Sequence, residues 1–159
     1  MIQVMDGLAF ASDVECSHDT SGTLAVVHAC KEPCHRSAVG YSTRTLPNTH
    51  PNYLVKETPF HLYLNLIDPP QPLFMMPSFV SFLGFMDKHV GKRRVLIHCN
   101  KGESRAPSLT LLYLAKRTPL LPSSSYQAAA EGFRAKFLPS YRPGRGIEIW
   151  LTQHWGELT

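Results

Sequence analysis

The spacing of apolar residues along the chain predicts strands and helices that alternate up to residue 98. Apolar runs and alternations indicate strands at Ile2–Leu8, Thr23–Cys30, His61–Ile67 and Arg94–His98. Between the last two strands, apolar residues recur at helical spacing and predict a helix over Ser78–Val90. Gly91 follows this segment as a natural helix stop.

After Cys99 the pattern predicts only helices. Pro107 suits the first turn of a helix whose apolar positions continue as far as Pro119. Ser123–Ser125 offer N-caps to a second helix, and Pro143 and Gly144 precede a third. Strands and helices in this order predict an α/β fold with a mainly parallel central sheet flanked by helices.

Composition narrows the class of protein but does not identify it. The chain has 159 residues and only 4 Cys, so we expect a single domain over 1–159 and no disulfide framework. It has neither a signal-peptide pattern nor an apolar run of membrane-spanning length, which favours a cytoplasmic protein with reduced cysteines. Residues 1–80 carry a net charge of −3 and residues 81–159 one of +7, a bias that suits nucleic acid, an anionic membrane surface or a phosphorylated substrate.

The segment HCNKGESR, from His98 to Arg105, joins the last predicted strand to the helix after it. A short loop in this position wraps its backbone N–H groups around an anion and directs a helix N-terminus at it. Gly102 permits a positive φ or a close approach to the ligand, and the planar fork of Arg105 binds two phosphate oxygens at once. All these groups favour a thiolate at Cys99, which makes it a nucleophile for phosphoryl transfer.

This segment resembles the His-Cys-x5-Arg signature of the cysteine-based protein phosphatases, and the short chain looks like their dual-specificity branch. The resemblance implies a protein-tyrosine-phosphatase-like fold and a cysteinyl-phosphate intermediate on Cys99. It makes Arg105 the residue that binds phosphate oxygens, and it implies neither a cofactor nor a metal. The rest of the phosphate-binding loop is then His98, Asn100, Lys101, Gly102, Glu103 and Ser104.

The family's general acid is an aspartate on a loop roughly thirty residues before the nucleophile. Asp68 fits, because it ends the segment YLNLID 31 residues before Cys99 and is followed by two prolines that stiffen the loop. A turn-forming role is the alternative for Asp68. Asp87 is the competing acid, but it falls within a predicted helix, on a face that we expect to be solvated.

The loop departs from the family pattern at Ala106, where a Ser or Thr usually donates a hydrogen bond to the cysteine sulfur. We expect the loss of that hydroxyl to slow breakdown of the cysteinyl-phosphate, unless Ser104 or Ser108 reaches the sulfur. Glu103 opposes Lys101, which disfavours highly anionic substrates if its carboxylate faces the site. The loop around Arg142 and Arg145 either approaches the phosphate-binding loop or lies in solvent.

A second group of reactive residues lies in the segment HACKEPCHR, from His28 to Arg36. A zinc site formed by His28, Cys30, Cys34 and His35 is one interpretation, although the spacing matches no standard zinc finger. The resemblance offers another, because some relatives protect the nucleophile in a reversible disulfide and Cys30 is the candidate partner of Cys99. A buried, unreactive Cys30 remains open, and Arg36 is a candidate for substrate binding.

The function that these observations favour is a protein phosphatase for phosphotyrosine, with phosphoserine and phosphothreonine as further substrates. The alternatives are a phosphoinositide or RNA 5′-phosphatase, or a phosphopeptide-binding module with little turnover. We expect the partner to be a phosphorylated protein or peptide. We do not expect a metal, a nucleic acid or a membrane to bind, and we expect the chain to be a monomer.

Overall fold

A six-stranded sheet forms the centre of the computed structural model, which describes all residues from 1 to 159. The strands are β1 (Ile2–Met5), β2 (Leu8–Ala11), β3 (Leu24–His28), β4 (Val55–Glu57), β5 (His61–Leu64) and β6 (Arg94–His98). Their order across the sheet is β1-β2-β6-β3-β5-β4. The four central strands are parallel, whereas β1 and β4 pair antiparallel at the two edges. The predicted α/β fold is confirmed, and the sheet is mixed rather than purely parallel.

Five α-helices accompany the sheet. They are α1 (Arg36–Val39), α2 (Met76–His89), α3 (Arg105–Arg117), α4 (Tyr126–Lys136) and α5 (Arg145–His154). Every residue of α3 from Ala106 to Ala115 is buried, because the helix packs against the sheet as well as against α2 and α4. The ring of Phe79 in α2 stacks on Trp150 in α5, with ring centroids 4.1 Å apart. This aromatic contact packs α2 against α5.

Two local features differ from the sequence-based predictions, whereas the start of α3 places Pro107 in the first turn of the helix, as predicted. The segment expected as one strand over Ile2–Leu8 is a hairpin of β1 and β2, in which Gly7 turns the chain at a φ of 74°. The strand β4 has no counterpart among the predicted strands, because its sequence Val-Lys-Glu is too short and too polar to show the apolar–polar alternation of a strand. The helix α3 begins at Arg105, two residues before Pro107. The proline is accommodated because the N–H groups of a helix's first turn have no partner within the helix.

The carboxyl ends of β2, β3, β5 and β6 lie at one edge of the sheet, since these strands are parallel. In the register of the sheet, His98 at the end of β6 lies opposite Ala11 of β2 and His28 of β3. The segments that follow these strands are therefore neighbours, and ligand sites of parallel α/β sheets form in this position. None of the helices is both long enough and apolar enough to span a membrane.

Ser125 is the residue of the three-serine run that caps α4, because its side chain accepts a hydrogen bond from the Ala128 N–H at 3.1 Å. We expect Ser125→Ala to lower the free energy of unfolding by about 1 kcal/mol, the usual effect of losing an N-cap. Ser124→Ala is the matched control, since the exposed Ser124 side chain makes no cap hydrogen bond. Urea unfolding of both variants measures the difference, and equal losses would contradict the assignment.

Candidate active site

Cys99 lies at the base of the loop between β6 and α3 and is 2% exposed. Its sulfur accepts hydrogen bonds from the backbone N–H groups of Gly102 at 3.3 Å and Ala106 at 3.4 Å. The N–H of Cys99 itself donates to the Ala11 carbonyl at the end of β2. Two N–H donors and the N-terminus of α3 therefore surround this sulfur, an arrangement that suits an anion bound in the loop.

Gly102 lets the loop close against the end of β2. Its φ is 72°, in the left-handed region that favours glycine, and a Cβ there would lie 2.8 Å from backbone atoms of Ala11 and Ser12. Conformation and space therefore both require glycine at this position. The same approach allows the Asp13 N–H to donate to the Asn100 carbonyl at 3.2 Å.

Arg105 is held in place by two neighbours that leave part of its guanidinium free. One terminal nitrogen donates to the Leu66 carbonyl and the other to the Asn100 side-chain oxygen, each at 2.9 Å. Its Nε is buried and has no hydrogen-bond partner. A buried donor without a partner costs free energy, which an anion in the loop would recover. Asn100 is itself oriented by a 2.8 Å hydrogen bond from its side-chain amide to the Glu32 carbonyl.

Asp68 and the phosphate-binding loop line the same cavity. This cavity has a volume of about 530 Å³, and Pro143 contributes its one apolar side chain. Its lining residues are Asp68, Asn100, Lys101, Glu103, Ser104, Arg105, Arg142, Pro143 and Gly144. The structure thus brings together the residues that the sequence singled out on two separate segments, with the Cys99 sulfur at the base of the loop.

Two glycines at the start of α5 position the loop that carries Asp68. The carbonyls of Pro69 and Gln71 lie directly against Gly146, which leaves no room for a Cβ there, and the exposed Asp68 carboxylate lies against Gly144. Sequence reasoning misses this role, because it assigns these glycines only to the boundary of a helix. Two glycines spaced by one residue at a helix start are the signal that a second backbone packs there.

The other residues that the sequence offered for the site differ in whether they line this cavity. Asp87, the competing acid, is exposed and paired with Arg117 at 2.9 Å, and it does not line the cavity. Arg142 lines the cavity and therefore approaches the phosphate-binding loop, whereas Arg145 is exposed at the first turn of α5 and does not. Lys101 and Glu103 are both exposed at the cavity rim.

No hydroxyl group takes the place of the one missing at Ala106. The Ser104 hydroxyl accepts a hydrogen bond from the Gly144 N–H at 2.8 Å. The Ser108 hydroxyl is paired with that of Tyr141, also at 2.8 Å. Neither serine lies within hydrogen-bonding distance of the Cys99 sulfur, so backbone N–H groups alone contact it.

The His28–Arg36 segment does not form the zinc set that the sequence suggests. His35 is hydrogen-bonded to Tyr41 and the Asn52 carbonyl, which removes it from the expected zinc set. Arg36 forms a salt bridge with Glu32 and donates to the Thr43 carbonyl, so it supports this loop rather than a substrate. Cys30 is buried two residues after β3, and its disulfide with Cys99 stays a prediction.

The close approach of Gly102 to β2 leads to a test of the loop. We expect Gly102→Ala to abolish the binding of inorganic phosphate or vanadate, because the added Cβ would push the loop away from Ala11 and Ser12. Gly91→Ala is the matched control. Gly91 also has a positive φ, of 83°, but a Cβ added there would meet no atom within 4 Å, so this variant should lose only about 1–2 kcal/mol of stability. Isothermal titration calorimetry measures both, and retained anion binding in Gly102→Ala would contradict the loop geometry.

Comparisons with known proteins agree with this geometry at the level of the fold. No protein-family model and no curated protein matches the chain. Among solved structures, human DUSP28 matches with a TM-score of 0.63 at 16% identity, over 99% of this chain and 97% of that one. The human tyrosine phosphatase-like serine/threonine/tyrosine-interacting protein matches at 0.64 and 16%, over 99% and 96%. PTPMT1 in complex with PI(5)P matches at 0.55 and 18%, over 86% and 78%. The resemblance first seen in the HCNKGESR segment thus extends to the whole architecture, and the chain has the fold seen in the dual-specificity phosphatases.

Proposed function

We propose that this chain is a cysteine-dependent phosphatase that hydrolyses phosphotyrosine in proteins or peptides, with phosphoserine and phosphothreonine as further substrates. The observation that carries the proposal is the buried, unpartnered Nε of Arg105 in a loop whose Cys99 sulfur already accepts two backbone hydrogen bonds. Together these groups form a site for a tetrahedral anion in contact with a nucleophile. The fold of the structural neighbours supports the same reaction class.

In the first step, the Cys99 thiolate attacks phosphorus in line with the leaving oxygen. An S–P bond forms and the P–O bond to the substrate breaks, while Asp68 donates its proton to the departing oxygen. Arg105 and the loop N–H groups bind the other phosphate oxygens and stabilise them most in the transition state. The packing of the Asp68 loop against Gly144 and Gly146 holds the acid at the cavity that the phosphate-binding loop also lines.

In the second step, water attacks the cysteinyl-phosphate. Asp68, now ionised, accepts a proton from the water, the S–P bond breaks, and inorganic phosphate leaves as the thiolate is restored. The thiolate is the leaving group here, so hydrogen bonds to the Cys99 sulfur accelerate this step. The sulfur has two such bonds, both from the backbone.

Substitution of the nucleophile and the acid tests the mechanism. We expect Cys99→Ser to abolish hydrolysis of an aryl phosphate, and Asp68→Asn to reduce kcat by about 10²–10⁴-fold, the usual contribution of a general acid. The loss in Asp68→Asn should shrink as the leaving group becomes more acidic. Asp87→Asn is the matched control, because Asp87 lies outside the cavity and pairs with Arg117.

The same assay distinguishes an enzyme from a binding module. A module would bind a phosphotyrosine peptide but release no phosphate, and Asp68→Asn would leave its affinity and its negligible rate unchanged. Vanadate inhibition of a measurable rate, lost in Cys99→Ser, is the result expected of the enzyme. Trapping of phosphopeptides by an Asp68→Ala variant then ranks phosphotyrosine against phosphoserine and phosphothreonine.

Ala106 leads to a separate prediction about the second step. We expect wild-type protein to release a burst of the alcohol product before a slow steady state, because the cysteinyl-phosphate accumulates. Ala106→Ser should raise the steady-state rate by about tenfold, the effect of one hydrogen bond of about 1.5 kcal/mol to a charged group, and should reduce the burst. Ala106→Cys is the control, since its S–H is a weaker donor of similar size. No gain from serine would contradict a slow second step.

A phosphoinositide is the second candidate substrate. Arg142 and Lys101 both lie at the cavity rim, where two cations suit a headgroup with more than one phosphate, and the neighbour PTPMT1 is described in complex with PI(5)P. The carboxylate of Glu103 at the same rim disfavours such a highly anionic headgroup. Comparison of kcat/KM for a phosphotyrosine peptide and a soluble phosphoinositide decides between the two substrates. If the phosphoinositide is the substrate, Arg142→Ala should lower its kcat/KM selectively.

We continue to expect a cytoplasmic, monomeric enzyme.

A further inference from the structure

Two thiols and two imidazoles from four separate segments meet behind the phosphate-binding loop. They belong to Cys16 after β2, His28 at the end of β3, Cys34 in the turn that follows, and His98 at the end of β6. One ligand atom from each side chain lies within 4.8 Å of all the others. His28, Cys34 and His98 are buried, and Cys16 is half-buried, so the cluster is closed on three sides and reachable from the fourth.

Three of the six distances between these atoms are close to the edges of a zinc tetrahedron. Bond lengths of about 2.3 Å to sulfur and about 2.05 Å to nitrogen imply edges of about 3.8 Å between two sulfurs, about 3.6 Å between sulfur and nitrogen, and about 3.4 Å between two nitrogens. The two sulfurs are 3.9 Å apart. The Cys16 sulfur lies 3.6 Å from His28 Nδ1, and the Cys34 sulfur lies 3.9 Å from His98 Nε2. The one short edge, at 2.8 Å, is the hydrogen bond between the two imidazoles, which a bound ion would replace.

The hydrogen bonds around His28 already select the tautomer that a metal requires. His61 Nε2 lies 2.7 Å from the Asp19 carbonyl, which can only accept, so His61 carries its proton there. His61 Nδ1 must then accept a hydrogen bond from His28 Nε2 at 3.0 Å. This leaves the Nδ1 lone pair of His28 directed into the cluster. A second residue that fixes the orientation and tautomer of a ligand histidine is usual in metal sites.

His98 supplies an independent observation. It is fully buried, and its Nδ1 has no hydrogen-bond partner. Without a metal, the Nδ1 of His28 accepts, so His98 must donate from Nε2 and keep a bare, buried lone pair at Nδ1. With a metal on Nε2, the proton of His98 moves to Nδ1, beside the backbone of Cys99.

We propose that Cys16, His28, Cys34 and His98 bind one Zn²⁺ ion. Binding releases two thiol protons and leaves two thiolates, two neutral imidazoles and a doubly charged cation, so the buried site carries no net charge. Borderline-soft Zn²⁺ suits a tetrahedral set of two sulfurs and two nitrogens. From the sequence we expect no metal, and the zinc alternative raised there shares only His28 and Cys34 with this set.

The ion would connect the strand that precedes the nucleophile to three other segments. His98 directly precedes Cys99, and its ligation would fix the end of β6 on which the phosphate-binding loop rests. Cys16 and Cys34 would tie down the segments that follow β2 and β3. This role is structural, because the Cys99 sulfur is not among the ligand atoms and the four protein ligands leave no open position.

Zinc content of the purified chain tests the proposal without any enzyme assay. We expect one zinc per chain by elemental analysis, and a zinc affinity lowered by at least about tenfold in Cys16→Ser and Cys34→Ser. Cys30→Ser is the matched control: Cys30 is as buried as Cys34 and lies four residues before it, yet stands outside the ligand set. Equal losses from Cys30→Ser and Cys34→Ser would overturn the assignment.

Two measurements on wild-type protein cover the case in which a ligand variant does not fold. Replacement of zinc by Co²⁺ should give the visible absorption of a tetrahedral ion with sulfur-to-cobalt charge transfer. Removal of the metal by a chelator should lower Tm. Failure to bind either metal, an octahedral cobalt spectrum, or a Cys16–Cys34 disulfide seen as the loss of two hydrogens in the peptide mass would refute the site. Cys99→Ser should bind zinc normally, so the proposed phosphatase activity and the zinc site can fail independently.

Discussion

The close contact between Gly102 and the end of β2 is the constraint on which the candidate active site depends. It pins the middle of the phosphate-binding loop to Ala11 and Ser12, and the Cys99 N–H and Asn100 carbonyl attach the start of the loop to the same segment. The loop can then present its N–H groups to the Cys99 sulfur while α3 begins directly behind it. Because β2 and β6 are parallel and adjacent, the strand that supports the loop also ends at the edge from which the loop leaves.

Arg105 links this loop to the segment that carries the proposed acid. Its guanidinium donates to the Leu66 carbonyl, two residues before Asp68, and to the side chain of Asn100 within the loop. A shift of the Asp68 segment would therefore also move the residue that binds phosphate oxygens. The glycines at the start of α5 hold that segment from the other side, so nucleophile, anion-binding group and acid share one rigid frame built on three strand ends and one helix.

Sequence reasoning predicts the residues of the site better than the contacts that arrange them. The spacing of Cys99 and Arg105, between an apolar strand and a helix, is a local pattern. Such a pattern can be recognised in the sequence without knowledge of the fold. The selection of Asp68 requires only its distance along the chain from Cys99. The part played by Gly144 depends on which loop packs against it, and the set of Cys16 and His98 depends on the pairing of distant strands. The register between distant strands cannot be predicted from any single segment of the sequence. The first hairpin is predicted as one strand for the same reason, because the pairing of its two halves is not visible in the local pattern.

The two cysteine environments at this edge of the sheet differ in what surrounds the sulfur, and that difference separates their chemistry. Cys99 accepts hydrogen bonds from backbone N–H groups at a helix N-terminus, which stabilise a thiolate and an incoming anion. Cys34 lies against the Cys16 thiol and the Nε2 of His98, and its hydrogen bond with Cys30 together with burial raises its pKa. Such a set repels anions and gains most from a cation that displaces the thiol protons. His98 and Cys99 are consecutive and, as in any strand, point to opposite sides, so one strand end serves an anion site on one side and a cation site on the other.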